Sequence, residues 1–80
     1  MNIQLIEGEF KSSEALELIT QMIHVKIKFH ENKIAKNATE EDVKGRETKI
    51  KRLQKDLFEV RNNIVSTTKS VKLNAIINIE

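Results

Sequence analysis

His24 and His30 are the only imidazoles in the chain, and there is no cysteine. Two rings on one helix can share a metal ion when they sit three or four residues apart, because only then do they leave the same face. A spacing of six separates them, so no metal site is expected. His24 reads as an exposed residue and His30 as one at the boundary of an apolar face. Glu31, next to His30, is no acid–base partner for it, since adjacent helical residues diverge. Paired carboxylates can do general acid–base work where one is desolvated. Glu14 with Glu17, and Glu40 with Glu41 and Asp42, offer such pairs. Each group opens a helical pattern, however, where acids serve to offset the helix dipole. No Gly-rich phosphate loop, nucleophile elbow or Cys/His cluster occurs. The residues therefore point away from an enzyme and imply no cofactor.

Basic side chains give the sharper signal. Residues 24 to 55 hold ten Lys or Arg against five Asp or Glu, although the net charge of the chain is only +2. Within that region Lys33, Lys36, Lys44, Arg46, Lys49, Lys51 and Arg52 are the candidates for contact with nucleic-acid phosphates, whose neutralisation carries most of such binding. Interleaved acids oppose this reading. So does the shortage of aromatics for base stacking: Phe10, Phe29 and Phe58 all fall at core-like positions. A solvated face of mixed charge is the plainer account.

The elements that would position these residues follow from periodicity. "IHVKIKFHE", residues 23–31, alternates like a half-buried strand, yet from Glu14 to Glu31 no Gly, Pro, Asn, Asp or Ser is present to turn the chain. A helix needs no such turn. At 100° per residue Leu16, Ile19, Ile23, Ile27 and Ile34 form one line, and Ala15, Leu18, Met22, Val25 and Phe29 form a second about 130° away. Ser12 and Ser13 before Glu14 mark its start, and Asn37 suits a left-handed C-cap near its end. A second helix opens at "TEED", a capping-box variant with Thr39 as cap. Val43, Ile50, Leu57 and Ile64 then recur every seven residues, with Leu53 and Val60 beside them. That pattern fades over residues 66–70. So short a connection makes the helices an antiparallel hairpin, with Leu16, Ile23, Ile27, Ile50, Leu53, Leu57, Val60 and Ile64 between them.

Both ends read as strands. Val71, Leu73, Ala75, Ile77 and Ile79 alternate with Lys72, Asn74, Ile76 and Asn78. The N-terminal stretch is less regular, with Ile3 and Leu5 opposite Ile6 and Phe10, and Gly8 suggests a bulge. The expected fold is α+β in the order β-α-α-β, one domain over residues 1–80, with a long antiparallel helical hairpin packed on a small sheet made by the two ends. A strand followed by two helices also invites comparison with ribbon-helix-helix DNA-binding dimers, but Glu7 and Glu9 on the first strand would be repelled by phosphates.

Eighty residues lie near the lower limit for a single core. One helix partner cannot cover two apolar lines, and a two-stranded sheet is marginal alone. A homodimer is therefore expected, serving protein–protein interaction or assembly, with any further protein partner unspecified and nucleic acid as the alternative. No run approaches a membrane span. MNIQLIEGEF lacks the marks of a signal peptide, which makes the cytoplasm the expected location. Finally, "IEGEF", "SSEALELI", "KIKFHENKI" and "KLNAIINIE" together resemble a group of small bacterial proteins of about this length and uncharacterised function. The resemblance implies a free-standing protein whose ends belong to the fold, and it implies no site residues.

Overall fold

The structure is a computed structural model and describes residues 1–36, 39–66 and 70–80. Strand β1 (Asn2–Lys11) leads into helix α1 (Ser12–Ala35), followed by helix α2 (Glu40–Ser66) and strand β2 (Ser70–Asn78). The expected β-α-α-β order is the observed one, and residues 23–31 lie inside α1. The Asn37 cap and the connection at residues 67–69 fall outside the described residues.

Local chemistry sets the helix starts. β1 passes into α1 without a loop, and the Glu14 carboxylate accepts the backbone N–H of Lys11 at 3.2 Å, as an acid in a first turn should. At α2 the Thr39 hydroxyl accepts the Asp42 N–H at 3.1 Å, satisfying one of the free donors that open every helix. Here the cap is the residue the sequence marks.

The two strands form one antiparallel sheet. Its register runs from Asn2 opposite Asn78 to Lys11 opposite Ser70, with one irregularity between Gln4 and Ile6. The extra residue is Leu5, so the bulge lies there and not at Gly8. Gly8 pairs with Leu73 at a φ of 135°, where a side chain would be strained. Because strand side chains alternate, one extra residue reverses the parity of everything before it. Ile3 thereby joins Ile6 and Phe10 on the same face as Val71, Leu73 and Ala75, all half-buried. Leu5 is left half exposed on the other side. The Gln4 amide fastens the bulge, donating to the Ile6 carbonyl at 2.9 Å, the Ala75 carbonyl at 3.3 Å and Asn74 Oδ1 at 2.6 Å.

Packing between the helices follows the heptad. Leu57 and Ile64 are buried, while Leu16, Ile23, Ile27, Ile50, Leu53 and Val60 are half-buried. Ala15, near the start of α1, is wholly covered. The Cα envelope measures 45 × 33 × 13 Å. Its shortest dimension is about the diameter of one helix, so the sheet, which meets the hairpin through α1, extends beside the helices as well as against them. No described helix is long and apolar enough to cross a membrane.

Two stability measurements check this arrangement. Leu57→Ala should lower the unfolding free energy by about 2–5 kcal/mol in urea titration, and an unchanged midpoint would contradict the seam. Deleting Leu5 should cost about 1 kcal/mol or less, since it restores a regular ladder with Ile3 and Ile6 still on one face. Deleting Glu7, which would separate those residues from Phe10, should cost several times more. Equal losses would contradict the assigned register.

Candidate functional site

His30 is the one polar side chain that is buried among the described residues, at 5% exposure. Its position explains this. It lies three residues after Ile27 and four before Ile34, so the helical repeat carries it into the line that faces α2. The boundary placement expected from the sequence is corrected accordingly. His24, on the polar side, is exposed as expected.

Opposite His30, the α2 seam carries Arg46, three residues after Val43 and four before Ile50. Arg46 Nη1 lies 3.0 Å from His30 Nδ1. A guanidinium can only donate, so Nδ1 is the acceptor and the ring is neutral, with its hydrogen on Nε2. That second nitrogen is buried and has no hydrogen-bond partner among the described residues. Burial, then the positive charges of Arg46, Lys49 and Lys26, hold the imidazole below its ordinary value of 6.5. Arg46 also stands over the Phe29 ring, 5.9 Å from its centroid, with Lys33 Nζ at 5.6 Å. Phe29 meets His30 edge to face.

Along the same flank runs an open groove of about 280 Å³ lined by Lys26, His30, Lys49, Arg52, Leu53 and Asp56. The antiparallel hairpin brings Lys26 of α1 alongside Lys49 and Arg52 of α2. None of these three cations makes an ion pair within 4.0 Å among the described residues, where the one such pair joins Lys72 and Glu9.

The seven basic candidates are thus divided. Lys33 and Arg46 gather at Phe29, and Lys49 and Arg52 line the groove. Lys44 and Lys51 lie toward the other flank of α2, about 80–100° from Arg52 and about 140–160° from Lys49 at 100° per residue. Lys44 there shares a hollow with Thr39, Glu40 and Glu41. Lys36 follows the last turn of α1 and is exposed. Lys26, His30 and Asp56 are outside those seven. The signal for His30 was present in its spacing from Ile27 and Ile34, whereas Lys26 and Asp56 gain meaning only once the hairpin pairs them.

No group of three or more His, Cys, Asp or Glu side chains suited to a metal ion exists among the described residues. No family model, curated protein or solved structure matches the chain.

The His30 environment makes stability depend on pH. Unfolded, the ring takes up a proton near pH 6.5; folded, it resists until lower pH. Stability contributed by the neutral ring is therefore full above about pH 6.5 and is lost as the pH falls toward the folded-state value. Urea midpoints between pH 7.5 and 5.5 should fall more steeply for the parent than for His30→Leu. Parallel slopes would contradict the buried neutral ring.

Proposed function

We propose that the chain is a non-enzymatic assembly module that works as a homodimer, with a second copy covering the apolar stripe of α1 and the sheet end beside it. The observation that carries this reading is an excess of surface. The chain exposes 6569 Å², whereas a compact monomer of 9.3 kDa exposes about 5,000 Å². The surplus of about 1,600 Å² exceeds the roughly 800 Å² that each partner buries in a standard interface.

The surplus also has a place. Val25 is 71% and Phe29 52% exposed, and Met22 is exposed beside them. Leu18 continues this line toward the sheet, where it and Phe10 border one hollow. From Phe10 the half-buried face of Ile6, Val71, Leu73 and Ala75 extends away from the helices. A stripe this long on a soluble chain marks an interaction surface. Self-association suits it because both faces of a two-fold interface are the same patch. It would also add cover to a two-stranded sheet, which is marginal by itself.

Sedimentation equilibrium tests the proposal. The parent should have twice the chain mass of 9.3 kDa at micromolar concentration. Val25→Glu, at a site too exposed to matter to the single chain, should weaken association by about a hundredfold or more, because it would bury an unpaired carboxylate. A monomeric parent at that concentration, or a Val25→Glu protein that dimerises like the parent, would overturn the reading.

A further inference from the structure

The sheet carries an inference that rests on the dimer reading and specifies its geometry. Met1 and Ile79 exchange both of their backbone hydrogen bonds, at 2.8 and 2.7 Å. A reciprocal pair of this kind fixes the alternation along an antiparallel ladder, since successive residues turn their N–H and C=O to opposite edges. From Ile79 backwards, the odd-numbered residues of β2 bond to β1. The even-numbered ones, Lys72 to Asn78, turn their backbone groups away from it. Two contacts agree with this alternation. The Ala75 carbonyl accepts from the Gln4 amide, on the side of β1. On β1 the Lys11 N–H, opposite Ser70, points outward and goes to the Glu14 carboxylate.

We infer that this open edge of β2 pairs antiparallel with β2 of a second copy, making one four-stranded sheet in the order β1-β2-β2-β1. The two edges of the sheet are unlike. That of β1 carries the bulge at Leu5, Gly8 in its left-handed conformation and the exposed charges of Glu7 and Glu9. Bulges and charges are what keep an edge from pairing. The edge of β2 has neither proline, glycine nor bulge over its nine residues, and Lys72 is its single charge. No third strand lies against it among the described residues, and Lys72, Asn74, Ile76 and Asn78 are all exposed.

A second copy fits this edge by symmetry. The two-fold axis of such a pair stands normal to the sheet, so residues opposite each other share a face. The half-buried face of Val71, Leu73 and Ala75 therefore continues across the junction, and both α1 helices stay on one side of it. Full overlap of the nine residues centres the axis on Asn74. Lys72 of each copy then faces Ile76 of the other, so no like charges meet, and the lysine stem covers an isoleucine that is 57% exposed in the single chain. Four strands also pass the three that a stable sheet needs, which the two of one chain do not reach.

Amide hydrogen exchange of the parent, followed by NMR beside sedimentation at the same concentrations, is the test. In the dimer the amides of Lys72, Asn74 and Ile76 should exchange about tenfold or more slowly than in the monomer reached by dilution. Those of Leu73 and Ala75, bonded within the chain, should change far less. Ile76→Pro removes one outward N–H per chain, hence two hydrogen bonds across the pair, and spares the ladder to β1. It should weaken association by about tenfold or more, whereas Ile76→Thr, which keeps the N–H, should associate like the parent. The exchange measurement stands on the parent alone, whatever the fold of the proline variant. A dimeric parent whose even-numbered amides exchange as freely as in the monomer would overturn the edge pairing and leave the α1 stripe as the contact. A folded Ile76→Pro protein that dimerises like the parent would do the same. A parent monomeric at every concentration would overturn both readings.

Discussion

A helix with apolar residues on two lines can give only one of them to the helix beside it. That constraint governs this chain. The first line of α1 meets the α2 heptad and forms the seam in which Leu57 and Ile64 are buried. The second line, from Leu18 to Phe29, has no counterpart in α2, because the antiparallel hairpin is only one layer thick. The sheet cannot serve as a lid either. It is anchored where β1 runs straight into α1, and it meets α1 alone among the helices in any substantial way. Burial near 25 cal/mol per Å² is the main force opposing chain entropy, so a long uncovered apolar line leaves so small a domain short of buried area.

The sheet shows the same economy. A strand of ten residues with irregular polarity would normally turn apolar residues to both sides. The extra residue at Leu5 sorts them instead, and the Gln4 amide holds the displaced backbone. Gly8, in a conformation that other residues adopt only under strain, then lets the ladder continue. The result is one consistently apolar face running from Ile3 to Phe10.

Much of this was written in the sequence, and the failures are informative. The uninterrupted run from Glu14 to Glu31 excluded a turn and so settled helix against strand over residues 23–31. Thr39 and the heptad from Val43 to Ile64 located α2. Glycine is the usual sign of a bulge and points to Gly8, whereas the parity clash between Ile3 and Ile6 is what locates it at Leu5. His30 reads as a boundary residue by its polarity, yet Ile27 and Ile34 bracket it at helical intervals and bring it into the seam. Arg46 is its mirror on α2, between Val43 and Ile50. The groove itself could not be read from either helix alone, since Lys26 and Arg52 become neighbours only through the antiparallel pairing.

The seam and its uncovered neighbour thus give one picture: a hairpin stabilised on one side by its own heptad, carrying a buried neutral histidine, with an apolar line on the other side that we propose a second copy covers. Isotope-filtered NMR on a mixture of labelled and unlabelled chains examines this most directly. Contacts between the Val25 methyls of one chain and the stripe of another are the predicted result. Val25 methyls that touch only their own chain and water, at concentrations where the fold is intact, would contradict the account.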